Sequence, residues 1–476
     1  MMLGNRNRKT KIICTIGPVT SSADRIKELI LAGMDVARLN FSHGDHDSHR
    51  DIIRTIRRLC KELGKEVGIL QDLRGPKIRI GRLPVPEWAL QTDEIVFLSP
   101  RDSFNQKTIP VDYPYLMDDV SSGDRILLAD GRVELIIEEK HSDRLKARVL
   151  VGGVIHSHKG VNLPSSPLRI PAFTEKDQAD LALGLEEEVD FVALSFVRHE
   201  KDLEPLREML LRSENPPLLI AKIEKPQAIE RFEQILEVVD GVMVARGDLG
   251  VEMPLEEVPI IQKRIIQMAR LSVKPVITAT QMLASMVNSP RPTRAEAADV
   301  ANAVLDGTDA LMLSEETAIG DYPIATVRIM DRIAKAAEPH LREHPLADET
   351  LSEKPMVTES AIARSACRMA EDLHAAAIVA GTTSGSTARL VARFRPSCPV
   401  LGLTPNRRTE RQLSLSWGVI PSLVAPFSES DEIFELAGQW TTKHDIAQSG
   451  DRVIVTAGVP VGKQGTTNLL KVIEIE

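Results

Sequence analysis

Residues 11–39 read KIICTIGPVTSSADRIKELILAGMDVARL and contain one full unit of the fold: strand, helix, strand. Lys11–Ile16 is short, apolar and rich in β-branched residues, which suits a buried strand. A Gly-Pro pair and a Ser/Thr cluster then break the run. Ser21–Asp24 resembles a capping box, Ile26, Leu29 and Ile30 recur at helical spacing, and Gly33 ends the segment. Val36–Leu39 is a second strand of the first kind.

The same alternation continues through Val67–Leu70, Phe191–Leu194, Leu218–Lys222, Gly241–Ala245, Pro275–Ala279 and Ala310–Leu313. Pro226 suits a first helical position, with Ile229, Phe232, Leu236 and Val239 following on one face. Strands alternating with helices imply a parallel sheet covered on both sides. Eight such strands in one domain predict closure into a (β/α)₈ TIM barrel. The third unit is interrupted after Gln71-Asp72-Leu73-Arg74-Gly75-Pro76 by short β-like runs that end near Pro164–Pro171, before a Glu-rich helical stretch resumes at Thr174. We expect a small β-barrel lid domain inserted in a βα loop, over the face where barrels place active sites. A fresh α/β pattern starts with Thr358–Leu373 and continues in strands Ala377–Ala380, Val400–Leu403, Val419–Ile420 and Val453–Thr456. The expected organisation is a barrel over 1–75 and 168–345, a lid over 76–167, and a C-terminal α/β regulatory domain over 350–476.

With 43% hydrophobic and 27% charged residues the chain has the make-up of a globular protein. A net charge of −9 argues against general nucleic-acid binding, though not against phosphate ligands held by local Arg and Lys. Cys14, Cys60, Cys367 and Cys398 lie far apart with no CxxC pair, which favours reduced thiols over disulfides or zinc. The N-terminal apolar run is too short for a signal peptide, and no stretch approaches the roughly 18 apolar residues of a membrane helix. A cytoplasmic protein is expected.

Polar residues at barrel strand ends carry the chemistry, because a packed core does not need them. They are Arg38 and Asn40, Asp72, Ser195, Lys222 and Glu224, Arg246 and Asp248, Thr280, and Ser314, Glu315 and Glu316. Glu224 and Asp248 each follow an apolar strand, and together suit a hard cation such as Mg²⁺ that also takes phosphate oxygens. They equally suit helix N-terminal acids. Lys222 shares its strand face with Glu224, either to neutralise a transferring phosphoryl group or as a plain ion pair. Arg38 and Arg79 are phosphate clamps or salt bridges. His43, His46 and His49, with Asp45 and Asp47, read as a solvated loop and helix start rather than a zinc site. His156 and His158 read as lid-loop residues, and Glu186–Glu188 as a solvated helix end. In the C-terminal domain Gly381-Thr382-Thr383-Ser384-Gly385-Ser386-Thr387 follows a strand and opens a helix, as a phosphate site or a simple cap. It lacks the lysine of a Walker A loop.

The segments TKIICTIGP (10–18), GMDVARLNFSHG (33–44), IAKIEKPQAIE (220–230), VMVARGDLGVE (242–252), KPVITATQML (274–283) and ADVANAVLDGTDALMLSEETAIGDYP (298–323) resemble the pyruvate kinase family. The resemblance runs from residue 10 to the C-terminus. It implies Mg²⁺-dependent (or Mn²⁺-dependent) phosphoryl transfer from phosphoenolpyruvate to ADP, giving pyruvate and ATP at the last step of glycolysis, by a cytoplasmic, allosteric homotetramer. It further implies Glu224 and Asp248 as metal ligands, Lys222 as the residue stabilising the phosphoryl group in flight, and Arg38 on the phosphate. Gly247 and Asp248 would offer backbone amides to the substrate carboxylate, and Thr280 would belong to the relay that protonates enolpyruvate. Arg79 and Lys159, with Asn40 and His43, match nucleotide contacts. Asn40, Ser42 and Asp72 match the monovalent-cation pocket, and Thr382–Thr387 the site for a phosphorylated effector.

Two positions depart from the family pattern. Leu73 and Lys77 stand where potassium-requiring relatives usually have Thr and Glu, and resemble the potassium-independent branch. An ammonium at Lys77 would supply the charge that K⁺ supplies elsewhere, so no K⁺ requirement is expected. Glu315 stands where the usual motif has Gly. The stretch Ala457–Asn468 differs from the forms associated with fructose 1,6-bisphosphate, so the effector stays open, and AMP or a sugar monophosphate fits as well. Two rival readings use the same residues: a Mg²⁺-dependent barrel lyase or aldolase on a 2-oxo acid, and a silent metabolite sensor. Arg79 and Lys159 weigh against the first; the presence of Lys222, Glu224, Asp248 and Thr280 weighs against the second.

Overall fold

The computed structural model of the chain describes residues 8–100, 107–166, 168–342, 356–460 and 466–476. Eight parallel strands close into a barrel: β1 (Lys11–Thr15), β2 (Val36–Asn40), β3 (Gly68–Leu73), β4 (Phe191–Leu194), β5 (Leu218–Ile223), β6 (Gly241–Ala245), β7 (Val276–Ala279) and β8 (Ala310–Leu313). Each pairs with its neighbours in sequence, and β1 pairs with β8 to complete the ring. Both faces of every strand are covered. Ile13, Val36, Leu70, Phe191, Ile220, Met243, Ile277 and Met312 fill the barrel interior. Ile12, Cys14, Ala37, Ile69, Val192 and their equivalents point outward into the helix layer. That two-sided burial is why the strands read as continuous apolar runs rather than alternating ones.

Three local expectations needed adjustment. The first helix spans Ala23–Ala32, and its cap is Ser22, whose hydroxyl accepts from Arg25 N at 3.4 Å. The predicted reciprocal box at Ser21–Asp24 is therefore absent, and Asp24 instead sits in the first turn near the positive helix end. The Pro226 helix is two pieces, Pro226–Glu230 and Phe232–Val238, parted at Arg231. Strand β3 runs on to Leu73, because Asp72 pairs in register with Asn40 of β2 and Leu73 with Leu194 of β4.

Between β3 and β4 the inserted lid folds as a six-stranded sheet, including Ile95–Ser99, Arg125–Leu128, Val133–Lys140, Leu145–Val151 and Val161–Asn162, and a two-stranded sheet of Trp88–Leu90 with Gly153–Ile155. It has its own core around Val96, Leu98, Ile126, Leu135 and Val149. Where the chain returns to the barrel, Arg198 donates to the carbonyls of Leu168 and Ile170 while paired with Asp202.

The C-terminal domain is a five-stranded sheet in the order Val419–Leu423, Val400–Thr404, Ala377–Gly381, Arg452–Gly458, Thr467–Glu474. The last strand is antiparallel and was not anticipated, since it lies at the sheet edge with mostly half-exposed side chains and no clean period. Leu415 of this domain inserts into the foot of the barrel and packs with Ile13, Phe191 and Ala310. Around it, Lys11 Nζ donates to Val419 O at 2.7 Å and Arg395 pairs with Asp309 at 3.1 Å. Asp190, fully buried, accepts from Arg411 at 2.7 Å, Arg57 at 2.8 Å and Ile69 N at 2.8 Å. No helix among the described residues is long and apolar enough to cross a membrane, and all four cysteines are free.

Asp190→Ala is expected to destabilise the chain by about 3–5 kcal/mol, because it strands two guanidinium groups in a buried seam. Urea unfolding followed by tryptophan fluorescence, which reports Trp417 in this seam, would show a lowered midpoint; an unchanged midpoint would mean the seam does not hold the domains together.

Candidate active site

The C-terminal ends of β2, β3, β5 and β6 converge on one charged cluster. The register that pairs Arg38 with Leu70 and Asn40 with Asp72 brings Arg38 of β2 alongside Asp72 of β3. Arg38 Nε donates to Asp72 Oδ2 at 2.7 Å, and its Nη1 to Thr15 Oγ1 at 2.9 Å. Lys222 Nζ lies 3.4 Å from the other oxygen of Asp72, 2.9 Å from Glu224 Oε1 and 2.7 Å from Ser195 Oγ. Ser195 in turn donates to Leu73 O at 2.8 Å. Glu224 Oε2 accepts from Phe196 N at 2.8 Å, an amide brought into place by a left-handed residue, φ 58° at Phe196. Arg38, Asp72, Lys222 and Glu224 are all buried.

The electrostatics follow from that burial. Burial alone pushes the Asp72 carboxyl up, but Lys222 and Arg38 outweigh it and hold the group below the usual carboxylate range. Burial likewise disfavours the Lys222 ammonium, and Asp72 and Glu224 overcome this, so its pKa ends well above the ordinary value. Asp248 behaves oppositely. It sits half-buried in the first turn of the helical segment Arg246–Glu252 that follows β6. Burial, then the charge of Glu224, push it up to about 6, with Lys222 and Lys77 pulling the other way. Glu224 and Asp248 are thus close enough to repel. Among the described residues no group of three or more His, Cys, Asp and Glu is placed to hold a metal ion, so a cation here would rest on this carboxylate pair.

On the next strand ends Thr280 Oγ1 accepts from Gly247 N at 2.7 Å and donates to Ala279 O at 2.6 Å. Thr280 and Gln281 have φ of 67° and 55°, so this turn is held in a conformation L-residues avoid. Arg246 braces it, pairing with Asp299 at 2.7 Å and donating to Thr280 O at 2.8 Å. Glu316 accepts from Ser314 N at 2.7 Å, whereas Glu315 points to solvent with no positive φ, so a glycine is not needed there.

The remaining candidates divide between the barrel mouth and the lid. Asn40 Oδ1 accepts from Ser42 N at 3.1 Å beside Asp72, and Leu73 is fully buried. Lys77 and Arg79 lie half-buried on the irregular segment leading into the lid: a Cβ on Gly160 would sit 3.9 Å from Lys77 Nζ and 3.4 Å from Asp130 Oδ1, and Arg79 forms an isolated bridge to Gly160 and donates to His158 O at 2.8 Å. Lys159 and His43 are exposed. His49 is buried, stacked on Phe41 at 4.0 Å, and His46 contacts Asp180 at 2.8 Å, so these two histidines serve packing. Glu187 is likewise no solvated end, being held by Arg50 and Arg54 at 3.1 and 2.6 Å.

In the C-terminal domain Thr382 Oγ1 accepts from Gly385 N at 2.9 Å, Gly385 has φ 82°, and Ser384 and Ser386 hydroxyls meet at 3.1 Å. Thr387 meets Thr467 at 2.9 Å, and Arg389 donates to Ser384 O at 2.9 Å. Thr383 is exposed. Of the neighbouring stretch Ala457–Asn468, residues 461–465 lie outside the described residues. The sequence singles out Ser195 as a polar strand-end residue without a specific role, and gives no sign of Phe196, Lys225 or Glu252.

Comparison with known proteins places these residues in context. The chain matches the family described as pyruvate kinase, barrel domain, over residues 7–327, and that described as pyruvate kinase, alpha/beta domain, over residues 360–473. It is 47% identical to pyruvate kinase 2 of Synechocystis sp. over 98% of this chain and 79% of that protein. It is 44% identical to the pyruvate kinase of Clostridium perfringens over 98% of this chain and 100% of that protein. A crystal structure of a pyruvate kinase from Cryptosporidium parvum superposes with a TM-score of 0.93 at 35% identity, covering 100% of this chain and 98% of the other.

Asp72 titrates below its unfolded value, so its stabilising contribution is complete above about pH 4 and is lost as pH falls through the lower folded value. Asp72→Asn should therefore cost about 3 kcal/mol at pH 7, by breaking a buried charge pairing. The gap from wild type should hold down to about pH 4 and narrow only below it in urea titrations, and a gap that narrowed already between about pH 7 and pH 5 would contradict the assignment.

Proposed function

This chain belongs to the pyruvate kinase family, and from that premise we propose that it transfers a phosphoryl group from phosphoenolpyruvate to ADP with Mg²⁺, giving pyruvate and ATP. One observation carries the proposal: two cations, Arg38 and Lys222, face three carboxylates, Asp72, Glu224 and Asp248, at one barrel mouth. The excess negative charge falls on the Glu224–Asp248 side, where burial and then repulsion from Glu224 already raise Asp248. An all-oxygen pair with room for substrate oxygens fits Mg²⁺, or Mn²⁺, better than a softer ion. When bound, the ion would neutralise phosphoryl and carboxylate charge.

The protein's own groups do the positioning. In the reaction the bond from phosphorus to the enol oxygen breaks, and a bond to a terminal oxygen of ADP forms. Arg38 has Nε and Nη1 committed to Asp72 and Thr15, which leaves Nη2 for a phosphate oxygen. Lys222, kept charged by its carboxylate neighbours, offers its ammonium to the phosphoryl group in flight. Gly247 and Asp248 lie in the first turn of the helical segment after β6, so their amides suit the substrate carboxylate once that of Gly247 is released from Thr280 Oγ1. The enolate left behind takes a proton on carbon through the relay that includes Thr280, whose hydroxyl is oriented by Gly247 N and Ala279 O. Arg79 and Lys159 on the lid, with Asn40 and His43 at the mouth, would take the nucleotide, and lid closure would exclude water.

Lys77 lies where Asp248 feels its charge, and the neighbouring Leu73 offers no oxygen ligand. The pocket of Asn40, Ser42, Asp72, Leu73 and Lys77 therefore does without K⁺ in this reading. Thr382–Thr387 would bind a phosphorylated effector, with AMP or a sugar monophosphate among the candidates, through the exposed Thr383 and the half-buried Ser384 and Ser386. On family resemblance the enzyme is a cytoplasmic homotetramer acting at the last step of glycolysis, with domain limits of 1–75 and 168–345, 76–167 and 350–476.

A coupled assay of pyruvate formation from phosphoenolpyruvate, ADP and Mg²⁺ tests the reaction. Lys222→Met should lower kcat by about 10²–10³-fold, the scale of losing one charge-stabilising donor; full turnover in that variant refutes its role. In buffers free of Na⁺ and K⁺ the wild type should run within about twofold of its rate with added K⁺, whereas activity appearing only with K⁺ removes the role given to Lys77.

A further inference from the structure

Outside the residues just assigned, one buried contact joins three loops that the proposed reaction needs together. Glu252 ends the segment Arg246–Glu252, four residues after Asp248 and so on the same helical side. Its Oε1 accepts from Lys225 Nζ at 2.6 Å and from Asn162 Nδ2 at 2.7 Å. Lys225 directly follows Glu224, and its ammonium lies 5.9 Å from the centre of the Phe196 ring, the residue whose amide holds Glu224. Asn162 belongs to the lid strand Val161–Asn162. A second lid contact lies beside it, where Gly131, at φ 82°, leaves only 3.4 Å between a built Cβ and Val251.

Lys225 and Glu252 are each 6% exposed, and Glu252 Oε2 is buried with no hydrogen-bond partner. A buried carboxylate with one unsatisfied oxygen costs more than an apolar side chain of similar size, so stability alone does not account for it. We infer that Glu252 is a positioning residue: by sharing one carboxylate oxygen between Lys225 and Asn162, it fixes the spacing of the two metal-bearing loops and ties that spacing to the seated position of the lid. The inference deepens the reading above and rests on it. It assigns separate duties to the two arms. The Lys225 arm sets the separation of Glu224 from Asp248, and the Asn162 arm couples that separation to lid closure.

The test uses the full-length protein and Mn²⁺ as the probe, with free Mn²⁺ measured by electron paramagnetic resonance and lid opening by hydrogen–deuterium exchange. Glu252→Gln and Lys225→Met should each weaken Mn²⁺ binding about tenfold, the worth of one charged hydrogen bond. Asn162→Ala removes no buried charge and is the safeguard against loss of folding. It should leave Mn²⁺ affinity within about twofold, speed exchange in the lid strands about tenfold, and raise KM for ADP while sparing kcat. A merely structural ion pair would lower the melting temperature and leave Mn²⁺ affinity and lid exchange unmoved, which overturns the inference. If Lys222→Met also loses turnover while binding Mn²⁺ normally, the catalytic reading stands apart from this one. A wild type that binds no Mn²⁺ defeats the metal reading and this inference with it.

Discussion

The burial of unequal charges at one end of the barrel is the constraint on which the rest depends. Asp72 is shared by Arg38 and Lys222, and Lys222 is shared by Asp72 and Glu224, so no member is removed without stranding another. Buried pairs of this kind contribute little net stability, yet breaking them is costly. They persist because strand register delivers them: Arg38, Asp72 and Lys222 lie on β2, β3 and β5, and Glu224 follows β5 directly. The loops beyond the strands then bend to serve the cluster. Phe196, Thr280 and Gln281 all take left-handed backbone, which costs each about 1–2 kcal/mol and places an amide or a hydroxyl where the cluster needs it.

Much of this was legible in the sequence, for a reason specific to barrels. A strand buried on both sides has no use for a charge, so Asp72, Lys222 and Glu224 stand out against the apolar runs that carry them. The eight runs gave the barrel, and the interruption after Pro76 gave the lid. Partnerships between distant loops were not legible. Nothing in the strings IAKIEKPQ and GDLGVEMP says that Lys225 meets Glu252, or that Asn162 from the lid joins them, because those contacts depend on how far each loop reaches after its strand ends. The edge strand Thr467–Glu474 escaped for a different reason: half-exposed on one side, it has neither a buried run nor strict alternation.

The helix starts illustrate the same boundary at short range. A Ser/Thr/Asp cluster before Ile26 announces a cap, but which hydroxyl faces the open amides is decided by the approach of the chain, and it is Ser22 rather than Ser21. At Thr174 and Thr293, where the third residue of the helix is Asp177 or Glu296, both halves of the reciprocal box form. Glu315, the departure for which the sequence offered no account, is simply a solvent-facing residue with ordinary backbone, so the site tolerates its side chain.

The opposite end of the barrel completes the picture. Asp190 and Asp309 each stand one residue before a strand, β4 and β8, and each is held by an arginine of the C-terminal domain, Arg411 and Arg395. Strand β4 is four residues long, about 13 Å at the rise of an extended chain. At its far end Ser195 meets Lys222 and Phe196 N meets Glu224. A single short, fully buried strand therefore separates the grip of the C-terminal domain from the charged cluster. Packed interiors resist compression, so the positions of Asp190 at one end of β4 and of Ser195 at the other are set together rather than independently. The grip of the C-terminal domain at the foot of the barrel and the charged cluster at its mouth are thus the two ends of one strand.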